Sequence, residues 1–98
     1  LDTVNAEFLA EVSRKGDYLR QEIEKLPLVE RVRGRGLMLG IVLAQPVAKQ
    51  AVRDGLAQGL ILNAPSENVL RLTPPLVISQ DELDTALTTL RTIMEELA

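Results

Sequence analysis

The chain has 98 residues, enough for one domain with a modest core and too few for a two-domain active-site cleft. It has no Cys and no His, which excludes thiol nucleophiles, imidazole bases, zinc sites of the usual kind and disulfides within it. A net charge of -3 with one Phe, one Tyr and no Trp argues against a nucleic-acid surface, which wants clustered cations and stacking rings.

Hydrophobic residues at 46% and charged residues at 26% fit a folded globular domain. No apolar run approaches the roughly 20 residues of a spanning helix, and no basic leader with a cleavage site opens the sequence, so the expectation is a cytoplasmic protein with no membrane partner. The chain begins at Leu1 with residues that already read as helix, and is therefore expected to be a piece of something longer.

Residues 1–25 carry Val4, Phe8, Val12, Leu19, Ile23 and Leu26 at helical spacing apart from one skipped turn, with Glu7, Glu11, Arg14, Arg20, Glu22 and Glu24 on the other face. Gly16 interrupts this helix at a cost of about 1 kcal/mol relative to Ala, which predicts a kink or a close neighbour. Pro27 ends it. Residues 28–33 and 37–43 read as strands. The second has no polar alternation, as in a central strand buried on both faces, and Gly40 within it signals close approach or a bulge. Gly34 and Gly36 make either a tight hairpin turn or a bulge in one long strand. A phosphate loop is disfavoured, because a strand and not a helix follows the glycines.

Pro46 stands where a helix would start, with Val47, Ala51, Val52 and Leu56 at helical spacing and Gly59 as the stop, so residues 46–58 form the second helix. Residues 60–64 and 69–73 flank Pro65-Ser66-Glu67-Asn68 and read as a hairpin. Ser79-Gln80-Asp81-Glu82 is a capping box, with Ile78 and Leu83 at the staple positions. The helix it starts carries Leu83, Ala86, Leu87, Leu90, Met94 and Leu97 on one face. The pattern predicts an α+β fold: a two-layer sandwich in which a small, mainly antiparallel sheet has helices packed on one face.

Arg71 sits between Leu70 and Leu72 in a strand that Pro74 and Pro75 terminate. Its guanidinium cannot shed its proton, so an unpaired burial would be costly. Two readings stand: a structural arginine whose stem covers the sheet while the head reaches solvent, or one aimed at an anion near a sheet end. Arg31, Arg33 and Arg35 project from one strand face as a solvated basic strip, or as an anion clamp that needs partners outside the chain. Asp81, Glu82 and Asp84 suit the dipole of the last helix and read as capping. Lys15, Lys25 and Lys49 fall among polar neighbours and read as surface, and none has the apolar setting a nucleophilic lysine needs. No metal site is expected.

Residues 32–40 (Val-Arg-Gly-Arg-Gly-Leu-Met-Leu-Gly), 59–64 (Gly-Leu-Ile-Leu-Asn-Ala) and 70–76 (Leu-Arg-Leu-Thr-Pro-Pro-Leu) together resemble the C-terminal part of class III pyridoxal-phosphate aminotransferases. Within that class, the Leu-Asn-Ala strand followed by Asn68, and the Pro-Pro block, are most similar to the acetylornithine aminotransferases of bacterial arginine biosynthesis. The ornithine and 4-aminobutyrate enzymes share the scaffold. The resemblance covers essentially the whole chain and implies that residues 1–98 are the C-terminal small domain of a homodimeric fold-type I enzyme, closing over substrate held by a larger domain. The implied reaction moves an amino group between N-acetylornithine and 2-oxoglutarate in two half-reactions carried by pyridoxal phosphate. Arg71 matches the family's arginine in the Pro-Pro block, which faces the active site and meets a substrate carboxylate or a glutamate competing for it.

The lysine, aspartate and phosphate loop that hold the cofactor belong to the large domain, so no catalytic or cofactor-binding residue is expected in this chain and the fragment alone is expected to be inactive. The rival expectation is a freestanding α+β binding or dimerisation module without catalysis.

Overall fold

The computed structural model describes residues 3–74 and 77–98, and seven elements follow one another in the order the sequence predicts. The side chains of Val4 and Arg35, and the parts expected of Pro75 and Leu76, lie outside the described residues. Among those described, no helix is long and apolar enough to cross a membrane.

Helix α1 spans Thr3–Glu24. Leu19, Ile23 and the following Leu26 are buried in the core and Val12 packs partly against it, whereas Phe8 and Leu9 are exposed. Gly16 is buried against Gly36: a Cβ at position 16 would stand 2.6 Å from the Gly36 carbonyl carbon and 2.9 Å from its Cα. The interrupting glycine is thus explained by a close neighbour. Arg20, assigned to the polar face by spacing, instead lies half-buried and donates through Nη1 to the Val32 carbonyl at 3.0 Å and through Nη2 to the Gly34 carbonyl. A guanidinium long enough to span two carbonyls of a strand edge satisfies acceptors that would otherwise face the helix.

After Pro27 the chain reverses through Leu28, whose φ of 68° places a bulky residue in the left-handed region at a cost of roughly 1 kcal/mol or more. Strand β1 spans Val29–Arg35 and β2 spans Met38–Leu43. They pair antiparallel from Val29↔Leu43 to Arg35↔Met38, with an irregularity between Val29 and Arg31. The glycine pair resolves into a hairpin: Gly36, at φ 54°, is the first residue of a two-residue turn, and Gly34, at φ 118°, remains within β1.

Helix α2 spans Ala48–Ala57, starting two residues later than Pro46 suggests, with Val47 as a cap that makes no side-chain bond. It rests on the small residues Ala48, Ala51 and Gly55, not on Leu56, which is exposed. Gly59, at φ 82°, closes it: Leu60 N–H donates to the Gly55 carbonyl at 2.7 Å and Gly59 N–H to Leu56 at 3.2 Å, the paired bonds of a Schellman end. The next hairpin is β3, Asn63–Ser66, and β4, Val69–Leu72, with the turn at Glu67-Asn68. Residues 60–62, expected as strand, are a connection that tucks Leu62 into the core.

Helix α3 spans Gln80–Leu97 and has the predicted start: Ser79 Oγ accepts from Glu82 N–H at 3.1 Å, and Glu82 Oε1 accepts from Ser79 N–H at 3.0 Å. Its buried face is Leu83, Leu87, Leu90, Ile93 and Met94, adding Ile93 to the expected set.

The sheet is fully antiparallel in the order β1-β2-β4-β3. Val32, Leu39, Ile41, Leu43, Leu70 and Leu72 enter one core with residues of all three helices, which gives the two-layer α+β sandwich. Because the helices share that face, the opposite face of β2 is covered only at one end: Met38 is 69% exposed and Gly40 half-buried, whereas Val42 is buried. The expectation of a strand buried on both faces is therefore corrected. β2 is central in the sheet, and its apolar run reads continuous because Gly40 and Val42 occupy the second face.

Candidate anion-binding site

Arg71 lies on this second face, toward its open end. The burial of β4 alternates, with Leu70 and Leu72 turned to the core and Arg71 exposed between them, so the arginine is not stranded in apolar surroundings. Its two leucine neighbours simply point the other way. Register then fixes its company: Arg71 pairs with Gly40 of β2 and Asn63 of β3, and Gly40 pairs in turn with Arg33 of β1.

The result is a row across four strands, Arg33, Gly40, Arg71 and Asn63, with the two arginines roughly 10 Å apart along the hydrogen-bonding direction. Gly40 leaves the space between them open. Arg33 leans into that space: a Cβ on residue 40 would meet its Cγ at 3.4 Å and its Nε at 3.5 Å. Arg33, Gly40 and Arg71, together with Gly34, Pro65, Ser66 and Val69, line a cleft of about 530 Å³. No acidic side chain lines it, and neither Arg33 nor Arg71 has a hydrogen-bond or ion-pair partner among the described residues. Two guanidiniums facing one cleft without a carboxylate leave its positive charge unbalanced, and a planar donor fork matches the geometry of a carboxylate.

A larger groove of about 620 Å³ opens between α3 and residues 58–62, but the charged residues lining it are Asp81 and Glu82. It is the wrong sign for an anion. Glu82 is already committed to the cap, and the backbone and hydroxyl of Ser79 hold its carboxyl below the ordinary range. Among the described residues, no cluster of three or more potential ligands could hold a metal ion.

The other sequence candidates fall elsewhere. Arg31 is exposed on the same face as Arg33 but does not line the cleft. Asp84 accepts from the Tyr18 hydroxyl, which lifts the Tyr18 phenol above its usual range and ties α1 to α3. Lys15 is corrected from solvated surface: its side chain is 12% exposed and its Nζ donates to the Ile78 carbonyl ahead of the α3 cap. Lys25 pairs with Glu22 at 2.9 Å, and Lys49 is exposed on α2. None of these lysines is a buried amine free to form a bond with pyridoxal phosphate, and the Gly34–Gly36 turn runs into a strand. The described residues of this chain therefore do not form a site for that cofactor.

The sequence alone does not pair Arg33 and Gly40 with Arg71. The basic alternation and the lone glycine in β2 were visible, but only the strand order places them beside it.

A family model described as Aminotransferase class-III matches residues 1–94. Acetylornithine aminotransferase of Corynebacterium efficiens is 53% identical over 97 residues, covering 99% of this chain and 24% of that protein. Among solved structures, N-acetylornithine aminotransferase from Stenotrophomonas maltophilia superimposes with a TM-score of 0.83 at 34% identity, over 93% of this chain and 27% of that one. Lysine aminotransferase from Mycobacterium tuberculosis gives 0.84 at 25% identity, over 97% and 23%. The chain thus spans about a quarter of the length of the curated relatives it matches. With a family model covering nearly every residue and a relative identical at more than half the aligned positions, the chain belongs to the class-III aminotransferases.

Proposed function

We propose that residues 1–98 are the C-terminal small domain of a pyridoxal-phosphate-dependent acetylornithine aminotransferase, in which this domain helps close the active site and Arg71 receives a carboxylate of glutamate or 2-oxoglutarate. The observation that carries the reading is Arg71 itself, exposed in a cleft with a second arginine and no acid. A dicarboxylic acid supplies the missing charge, and the guanidinium fork can both hold and orient it. The naming of relatives as acetylornithine aminotransferases supports the amine donor.

In the full-length protein, the cofactor would supply the electron sink for amino transfer and would be held by residues outside this chain. What this chain contributes is binding and placement. Arg71 fixes one end of the oxo acid, β2 and β4 hold that guanidinium at a set height above the sheet, and Pro74 stiffens the exit from β4. The whole enzyme is read as a cytoplasmic homodimer of arginine biosynthesis.

The test is amino transfer by the purified full-length protein, comparing N-acetylornithine, ornithine, lysine and 4-aminobutyrate as donors to 2-oxoglutarate. The expected result is the highest kcat/KM with N-acetylornithine, and no turnover by the 98-residue chain alone. Preference for another donor would move the protein to a different branch of the class. No transfer with any donor would favour the freestanding binding module.

A further inference from the structure

We propose that Arg33 is the second arm of the Arg71 site, and that Gly40 is kept without a side chain so that both guanidiniums can close on one carboxylate. This rests on the reading of Arg71 as a carboxylate-binding residue and extends it to a residue on a different strand.

Three observations converge. First, register places Arg33 and Arg71 on opposite sides of the same residue, Gly40, so they share one row of the sheet face. Second, Arg33 does not extend straight into solvent. Its Cγ and Nε lie 3.4 and 3.5 Å from where a Cβ of residue 40 would be, so the side chain is draped over the glycine toward Arg71. Third, both arginines line the same cleft of about 530 Å³, whose other walls are Gly34, Pro65, Ser66 and Val69, with no carboxylate among them. Arg20 and Arg14, by contrast, are each committed, to strand carbonyls and to Glu11.

Two like charges across one glycine repel unless an anion joins them. A carboxylate seated between them would take hydrogen bonds from both forks, and its affinity would depend on the pair. A side chain at position 40 would occupy the seat without removing either charge. The carboxylate could come from a bound dicarboxylic acid or from an acidic side chain elsewhere in the full-length protein, and the experiment separates the two.

The probe is glutarate, which has the two carboxylates of the oxo acid and no group that reacts, measured as a competitive inhibitor of the full-length enzyme against 2-oxoglutarate. Arg33→Met and Arg71→Met are each expected to raise its inhibition constant by about tenfold or more, since hydrogen bonds between charged groups are the strong ones. Arg33→Lys should recover part of the loss by keeping charge without the fork. Gly40→Val, which keeps both charges but fills the space into which Arg33 leans, should weaken glutarate as Arg33→Met does. Arg31→Met, one turn of the pleat away and outside the cleft, should stay within about twofold.

If Arg71→Met weakens glutarate while Arg33→Met does not, the second arm is wrong and the Arg71 reading survives. If neither matters, both fall. A lower melting temperature of the full-length Arg33→Met protein with an unchanged inhibition constant means that Arg33 pairs with a protein carboxylate, and overturns the proposal. Equal weakening by Arg31→Met reduces it to a diffuse field. Should Arg33→Met fail to fold, Arg33→Lys and Gly40→Val carry the test, and an unchanged constant in both refutes it.

Discussion

Replacing Gly16 by Ala sets two known effects against each other. In an exposed helix interior the change should stabilise by about 1 kcal/mol, because glycine is the poorer helix former. At this position the new methyl would stand 2.6 Å from the Gly36 carbonyl carbon, where unstrained carbon contacts lie near 3.5–4.0 Å, so α1 and the β1–β2 turn must separate by about 1 Å. The turn cannot yield easily, since Arg20 ties the same helix to the Val32 and Gly34 carbonyls. Overpacking of this kind costs about 1–3 kcal/mol, and a clash with backbone falls at the upper end. The expected net is a loss of roughly 1–2 kcal/mol. Urea unfolding followed by far-UV circular dichroism would show the midpoint falling by about 0.5–2 M, given a slope near 1–2 kcal/mol/M. Ser13→Ala, exposed on the same helix, is the control and should be neutral or slightly stabilising. A Gly16→Ala protein as stable as the parent, or more so, would refute the close packing of α1 on the turn.

Truncation of Ile41, fully buried at the centre of β2, to Ala should cost about 2–5 kcal/mol by the same unfolding measurement, against under about 0.5 for Val77→Ala on exposed surface. Ser79→Ala removes the hydroxyl that caps α3 and should cost about 1 kcal/mol. The carboxyls of Glu11, bonded chiefly to Arg14, and of Glu82, bonded to Ser79, are both held below the ordinary range, so each favours the folded state above the unfolded glutamate value and loses that contribution as pH falls through its folded value. Stability should decline on acidification from about pH 4.5 downward, and Glu82→Gln should flatten the decline. A pH profile identical in Glu82→Gln and the parent would rule out that linkage.

How far the sequence carries the fold varies element by element. The start of α3 was fully legible, because a capping box is written in four consecutive residues and its geometry is local. Pro46 suggests too early a start for α2, since the chain takes its first helical turn only after Val47. Residues 60–62 read as strand because they are apolar, yet their role is to carry the chain from the Schellman end of α2 to β3 while burying Leu62. Gly16 announced a close neighbour without naming it, since the partner, Gly36, lies on another element. Arg20 and Lys15 were assigned to solvent by helical spacing, which sees one helix at a time and not the carbonyls of β1 or of Ile78.

The site divides in the same way. Arg71 drew notice as a cation between two leucines, and strand alternation accounts for those leucines without burying the charge. The anion-binding role proposed for it rests on resemblance and not on periodicity. Arg33 and Gly40 were each noted separately, but sequence order hides their meeting with Arg71. The order β1-β2-β4-β3 puts a residue from near position 30 beside one from near position 70, and that is a property of topology alone.

The central claim is that Arg71 binds a substrate carboxylate, and the most direct test is steady-state kinetics of the full-length Arg71→Ala enzyme. The expected result is an apparent KM for 2-oxoglutarate and for glutamate raised by about tenfold or more, or kcat/KM lowered to match, with the cofactor still bound as judged by its absorbance. Unchanged kinetics for both acids would contradict the account.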